Sequence, residues 1–214
     1  MLIIMYMAIV VVLLGVCDNR FSKKLYIPLK TISSIGFLVI GIIYGYGADD
    51  YIYRNWIVTA LVACAIGDIA LAVYNQIKER KAFLIGMACF VIAHISLILA
   101  MNWLNNSIGA INAVIPLAAI AAFFAIKKLA HIHMGKLTYF CAGYSLIVAS
   151  MMAKALMLPE NRIVSVAGVL FFISDCLIVF LYFFHFKDNR KKRLIHHLNL
   201  ITYYVAVLLF AVSV

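Results

Sequence analysis

Eight long apolar stretches separated by short polar breaks are the feature that most restricts the fold of this 214-residue chain. A helix needs roughly 20 apolar residues, within a range of about 17–25, to cross the hydrocarbon core of a bilayer. The stretches occupy residues 1–17, 29–47, 56–75, 82–101, 108–126, 137–157, 163–186 and 198–214. The sequence therefore predicts an all-α polytopic membrane protein, in which residues 1–214 form a single domain, one bundle of eight transmembrane helices.

The composition excludes an ordinary soluble domain, because 67% of the residues are hydrophobic whereas soluble domains average about half. The first stretch has no basic segment before it, so we interpret it as a span and not as a signal peptide. The five cysteines lie in or beside apolar stretches without a C-x-x-C pair, which favours neither a disulfide framework nor a zinc site. The expected environment is the bilayer, and nucleic acid is not an expected partner.

The basic residues alternate from one polar break to the next. The even-numbered breaks hold only Arg54 and Arg162. The odd-numbered breaks hold Arg20, Lys23, Lys24, Lys78, Arg80, Lys81, Lys127, Lys128, Lys136, Lys187, Arg190, Lys191, Lys192 and Arg193. Because cytoplasmic loops carry the excess of Lys and Arg, the odd breaks are predicted to be cytoplasmic. Both termini are then predicted to lie on the outer side of the cell membrane.

Asp68 and Asp175 are the only two of the eight acidic residues that fall inside predicted spans. A carboxylate at the bilayer centre costs about 3 kcal/mol or more, so such a group usually faces the bundle interior and has a function. Each is the thirteenth residue of its span and follows a small residue, Gly67 or Ser174. We predict that the two share a cavity near the midplane, one protonated and one charged, as acid–base or proton-relay chemistry requires. Alternatively, each only hydrogen-bonds across helices and stabilises their packing.

Further polar residues inside or beside the spans are weaker candidates. His94 is the thirteenth residue of span four and either joins the aspartates or is an ordinary core histidine. Lys30, near the inner end of span two, is predicted to bind a lipid phosphate or to act as a snorkelling anchor, and Lys154 near the outer end of span six can also snorkel. His131 and His133 lie in a basic break, and we interpret them as surface groups and not as metal ligands.

Four segments match one family of membrane enzymes in their order and spacing: residues 67–71, 83–94, 166–175 and 202–204. The chain resembles the integral-membrane lysoplasmalogenases, the YhhN-type family, over nearly its whole length. The resemblance implies hydrolysis of the vinyl ether bond of lysoplasmalogens. The products are a fatty aldehyde and glycerophospho-ethanolamine or glycerophospho-choline.

The predicted site residues, drawn from the resemblance and from the polar positions in the spans, fall into two groups. Catalysis is assigned to Asp68, Asp175 and His94. Binding of the lysophospholipid is assigned to Lys30, Lys154, Ser174, Tyr203 and Tyr204. Vinyl ethers hydrolyse by proton transfer to the β-carbon, so the reaction needs an acid, a carboxylate near the cation and a base for water. No metal or cofactor is expected.

Three other functions fit some of these residues. A proton-coupled transporter of a small or lipid-like solute would use Asp68 and Asp175 as a proton relay, although the apparent lack of Gly/Pro-interrupted helices counts against it. A zinc-dependent membrane lipid hydrolase would use Asp and His side chains. A retinal-type receptor would use Lys154 for a Schiff base, and it is disfavoured because that lysine is expected near the surface.

Overall fold

The computed structural model describes residues 1–17, 23–132, 134–135 and 137–214, and every regular element within them is an α-helix. The helices are α1 (Leu2–Cys17), α2 (Lys23–Tyr44), α3 (Tyr51–Ile77), α4 (Arg80–Leu104), α5 (Ile111–Leu129), α6 (Leu137–Leu156), α7 (Arg162–Phe183) and α8 (Asn189–Val212). The predicted all-α fold is confirmed for this part of the chain. Arg20, His133 and Lys136 lie outside the described residues, as do the side chains of Lys23 and Lys24.

Seven of the helices that the structure describes, α2 to α8, are long and apolar enough to cross a membrane. The first helix is also apolar over Leu2–Val16, but it is shorter than the others. The chain is therefore a multi-pass membrane protein. The count of eight spans and the orientation of the termini stay predictions.

Three helices, α2, α3 and α8, begin well before the apolar stretches that predicted them, and α2 begins six residues early, at Lys23. α3 begins five residues early because Asp50 caps it, its Oδ1 accepting a hydrogen bond from the N–H of Tyr53 at 3.0 Å. α8 begins nine residues early, at Asn189, and the carboxylate of Asp188 accepts the N–H of Arg190 at 2.8 Å. Hydropathy identifies the part of a helix that suits lipid, whereas caps and backbone hydrogen bonds decide where the helix ends.

Two prolines lie inside helices, Pro28 in α2 and Pro116 in α5. Predicted span two begins at residue 29, after Pro28, whereas α2 begins at Lys23 and so includes this proline. A proline has no backbone N–H, so each of these helices lacks one internal hydrogen bond. The argument against a transporter from uninterrupted helices therefore no longer holds.

The helices divide into two compact units. Unit one comprises Met1–Ala100 with Val207–Val214, and unit two comprises Met101–Ala206. In unit one, α2 packs against α1 and α3, and α3 meets α4. In unit two, α6 packs against α5 and α7, and α7 is hydrogen-bonded to α8. Asp68 belongs to unit one and Asp175 to unit two, and the single domain stays a prediction.

Large, fully buried side chains mark where each unit is packed. Those of unit one include Phe37, Leu61 and Leu97, and those of unit two include Met151 and Phe171. Lipid tails are as apolar as these side chains, so close packing and polar contacts, and not the exclusion of water, hold transmembrane helices together. The few buried polar contacts in each unit consequently carry much of its structural specificity.

Candidate functional site

Asp68 in unit one forms a buried ion pair. Asp68 is only 1% exposed, and its Oδ1 lies 3.1 Å from Nζ of Lys30. Its Oδ2 accepts a hydrogen bond of 2.7 Å from the hydroxyl of Ser34. Lys30 and Ser34 lie one turn apart on the same face of α2, so α2 presents a cation and a hydroxyl together to α3. Both oxygens of the carboxylate therefore face donors.

The side chain of Lys30 does not extend to the membrane interface, as that of a snorkelling anchor would. Its side chain is buried, and its ammonium group contacts the carboxylate of Asp68. The snorkelling interpretation was wrong for this residue, because opposite charge inside the bundle attracts the ammonium more strongly than a distant interface can. Binding of a lipid phosphate by Lys30 stays a prediction.

Ser34 is a member of the cluster that the sequence analysis did not identify. Its hydroxyl lies 2.7 Å from Oδ2 of Asp68 and 3.0 Å from the carbonyl oxygen of Lys30. Serine in a helix often donates to the carbonyl four residues earlier, so the contact with Asp68 is the tertiary one. A hydroxyl has one proton and donates to one acceptor at a time. The signal was present in the sequence as a lysine and a serine four residues apart on a predicted helix.

α1 contributes Tyr6 to the surroundings of Asp68. The ring of Tyr6 is buried, and a Cβ atom at Gly36 would lie 2.9 Å from it, so glycine at this position of α2 gives the ring its space. Tyr6 is also close enough to Asp68 to interact with it electrostatically. Two helices of unit one, α1 and α2, thus contribute polar groups around the carboxylate that α3 carries.

α4 approaches α3 at the residue before Asp68. A Cβ atom at Gly67 would lie 3.0 Å from the ring of Phe90 and 3.2 Å from the carbonyl oxygen of Gly86. His94 is fully buried and follows Phe90 by one turn on the same face of α4. The contacts run in opposite directions along the two helices, so His94 lies about five residues (~7.5 Å) along the helix axis from the level of Asp68. The participation of His94 in a site with the aspartates stays a prediction.

Asp175 lies in α7 of unit two and is also buried, at 5% exposed. The residue before it, Ser174, is held by Asn199 of α8. The amide nitrogen of Asn199 donates to the carbonyl oxygen of Ser174 at 2.8 Å and lies 2.9 Å from its hydroxyl oxygen. This neutral pair fixes the backbone of α7 beside the carboxylate. Asn199 was not identified from the sequence, although it is a polar residue within predicted span eight.

Tyr203 and Tyr204, predicted to bind substrate, are buried in α8 of unit two. The ring centroid of Tyr203 lies 5.5 Å from that of Phe171 in an edge-to-face arrangement, and 5.1 Å from that of Tyr204. Phe171 precedes Asp175 by one turn on α7, so Tyr203 packs one turn away from the carboxylate. Their role in binding stays a prediction.

Lys154 lies near the C-terminal end of α6, and its side chain is buried. Its ammonium group donates to the carbonyl oxygens of Asn105 at 3.0 Å and Ser107 at 2.8 Å, in the connection between α4 and α5. The side chain thus ties a loop to the end of α6. A Schiff base at this nitrogen would require the loss of both hydrogen bonds, which counts further against a retinal-type receptor.

With this geometry established, the comparisons with known proteins place the chain. Residues 25–214 match the sequence model of the YhhN family. The chain belongs to the YhhN family. The match includes α2 to α8 and all the predicted site residues, so the resemblance drawn from the sequence is confirmed. Searches of curated proteins and of solved structures found no match.

The chemistry available to this YhhN-family chain comes from its carboxylates. Among the residues that the structure describes, no group of three or more His, Cys, Asp or Glu side chains is placed to hold a metal ion. The carboxyl group of Asp68 lies beside the ammonium of Lys30 and the hydroxyl of Ser34. Such a group stabilises a developing cation or accepts a proton.

Proposed function

We propose that this YhhN-family protein is a membrane-embedded hydrolase that cleaves the vinyl ether bond of lysoplasmalogens. The observation that supports the proposal most is the carboxylate of Asp68, buried among apolar helices with Lys30 and Ser34 on its two oxygens. An ionisable group in such a place is rare and is usually functional. Membership of the YhhN family supports the reaction class, because the family resemblance implies lysoplasmalogenase activity.

The proposed reaction consumes one water molecule. An acid transfers a proton to the β-carbon of the vinyl ether, which leaves an oxocarbenium ion at the α-carbon. Water adds to that carbon and gives a hemiacetal, which breaks to a fatty aldehyde and the free hydroxyl of the glycerophospho-base. The enzyme must therefore supply a proton donor, a negative charge near the cation and a proton acceptor for water.

Asp68 and Asp175 are proposed to provide this acid–base chemistry, with His94 assisting. The remaining residues assigned to binding, Lys154, Ser174, Tyr203 and Tyr204, are proposed to hold the lysophospholipid. A single-chain lipid can enter from the bilayer, so no soluble domain is needed to deliver it.

The test is aldehyde release by the purified protein in detergent, with lysoplasmenyl-ethanolamine as the substrate. The matched control is the alkyl ether lysolipid with the same head group, which lacks only the double bond and is expected to release no aldehyde. Absence of aldehyde from the vinyl ether, with a protein that is folded and monodisperse, would contradict the proposal. Activity that a chelator abolishes would instead favour a zinc-dependent hydrolase.

A proton-coupled transporter of a small or lipid-like solute is the second candidate, and one observation favours it. Pro28 lies inside α2 two residues before Lys30, so the helix that carries the cation lacks a hydrogen bond next to it. Interrupted helices at intramembrane ionisable groups are a feature of carriers. Turnover in detergent without a gradient favours the hydrolase, whereas proton-coupled flux in liposomes without aldehyde release favours the carrier.

A further inference from the structure

We infer that Lys30 is a positioning residue that holds Asp68 as a carboxylate, which makes Asp68 the stabiliser of the cation and the acceptor of the proton from water. The inference rests on the proposed function and assigns one of its two aspartates a single role. Lys30, which was predicted to bind substrate, is instead given the role of positioning the carboxylate of Asp68 that it contacts.

The argument begins with the two oxygens of Asp68. Oδ1 faces the ammonium of Lys30 at 3.1 Å, and an ammonium has protons to give and no lone pair to accept one. Oδ2 faces the hydroxyl of Ser34 at 2.7 Å. A proton placed on Oδ1 would point at a cation. A proton placed on Oδ2 would force Ser34 to donate elsewhere and would remove the negative charge that the ammonium of Lys30 contacts.

The groups that face Asp68 from the surrounding helices support the same charge state. α2 provides Lys30 and Ser34, and α1 provides Tyr6, a phenol that is neutral near pH 7. α4 carries His94 about five residues (~7.5 Å) along the helix axis from the level of Asp68, and a positive charge there would act in the same direction as Lys30. The C-terminal segment that belongs to unit one, Val207–Val214, includes the end of α8 and contains no ionisable side chain.

A carboxylate that holds no proton cannot deliver one to carbon, so the proton for the β-carbon comes from another group, the acid. Asp68 then acts in the second half of the reaction. As water adds to the oxocarbenium ion, one proton of that water passes to Asp68. As the hemiacetal breaks, Asp68 returns the proton to the glycerol oxygen, and the acid regains its proton from the hemiacetal hydroxyl. The protons balance over one turnover.

The first test is the dependence of kcat/KM on pH for Lys30→Met, Lys30→Arg and the exposed control Lys81→Met. Loss of the ammonium makes Asp68 harder to ionise. The acidic limb of the Lys30→Met profile is therefore expected to move to higher pH by about one unit or more. At pH values below the limb, this shift lowers kcat/KM about tenfold. Lys30→Arg and Lys81→Met are expected to keep the wild-type limb. A purely structural role would lower the rate equally at every pH, and an unmoved limb in active Lys30→Met would overturn the inference.

A second test needs neither turnover nor a Lys30 variant. The infrared spectrum of the wild type minus that of Asp68→Asn, taken at neutral pH, reports whether Asp68 is protonated. The inference predicts the loss of a carboxylate band and no loss of a protonated carboxyl band. Loss of a protonated carboxyl band would overturn it. If the spectrum agrees but no substrate is turned over, the proposed function has failed and the charge state of Asp68 stands.

Discussion

Asp68 in unit one and Asp175 in unit two occur in the same local pattern, yet their surroundings differ. Each is a buried aspartate in the second half of a long helix, and each follows a small residue. Beside Asp68 the polar partners are a cation and a hydroxyl that contact the carboxylate itself. Beside Asp175 the contact with α8 is neutral and is made by the preceding residue, Ser174, with Asn199.

The small residue before each aspartate also has a different role in each unit. Gly67 lets α4 approach until Phe90 and the backbone of Gly86 fill the space that a side chain would need. Ser174 instead supplies a hydroxyl and a carbonyl oxygen that α8 binds through Asn199. In both units the small residue before the aspartate marks a close contact with a neighbouring helix, whereas the ion pair of Asp68 is made by a further helix, α2.

The largest expected effect is a loss of kcat, and it is expected to be similar for the two aspartates. Asp68→Asn and Asp175→Asn are each expected to lower kcat by about 100-fold or more, because positioned acid–base groups contribute roughly 10²–10⁴-fold. Aldehyde release from lysoplasmenyl-ethanolamine measures this, with the exposed Asp49→Asn as the control. Full activity in both buried variants would remove the aspartates from the mechanism.

The next effect separates the units by stability. Lys30→Met is expected to cost about 3–5 kcal/mol of the free energy of unfolding, because it leaves the charge of Asp68 buried without its counter-ion. The double variant Lys30→Met with Asp68→Leu is expected to recover most of that loss. Denaturant titration of the purified protein measures both. A double variant no more stable than Lys30→Met would show that the charges do not interact.

The corresponding change in unit two is expected to cost less. Asn199→Leu removes the donor to Ser174 but leaves no charge behind, so a loss of about 1–3 kcal/mol is expected in the same titration. Ser174→Ala keeps the bond from Asn199 to the backbone carbonyl and should cost less than Asn199→Leu. A loss in Asn199→Leu equal to that in Lys30→Met would mean that the neutral contact is as important as the ion pair.

The smallest expected effect concerns the helix contact beside Asp68. Gly67→Ala would press a methyl group against Phe90 and Gly86, at a cost of about 1–3 kcal/mol. Gly143→Ala in α6 is the matched control, because nothing lies within 4 Å of a Cβ atom there. That control is expected to be neutral or to gain up to about 1 kcal/mol from helix propensity. Equal stability of the two variants would contradict the close approach of α3 and α4.

The sequence was sufficient for the helices, the family and the two aspartates, because hydropathy reports which segments suit lipid and a charge among apolar residues stands out. It was not sufficient for the partner of Asp68. In lipid every face of a helix is apolar, so the pattern does not indicate how α2 is rotated about its axis. Because the rotation of α2 was not known, Lys30 was interpreted as a possible snorkelling anchor, and Ser34 was not identified as a neighbour of Asp68.

The ends of the helices and the role of Asn199 were missed for related reasons. The first turns of α8 are strongly basic, so hydropathy placed the start of the predicted span after them. The helix itself starts earlier, where the carboxylate of Asp188 accepts a hydrogen bond from the N–H of Arg190. Asn199 is the second residue of predicted span eight, and the sequence analysis did not single it out. Its buried bond to Ser174 depends on the crossing of α7 and α8, which no single segment specifies.

The measurement that tests the central claim most directly is the position of deuterium in the aldehyde released in heavy water. Proton transfer to the β-carbon predicts one deuterium on the carbon next to the aldehyde group and a slower turnover than in light water. Preformed aldehyde, incubated in the same heavy water, corrects for exchange with solvent. Aldehyde that carries no deuterium at that carbon beyond this control would contradict cleavage by carbon protonation, and with it the role given to the buried carboxylates.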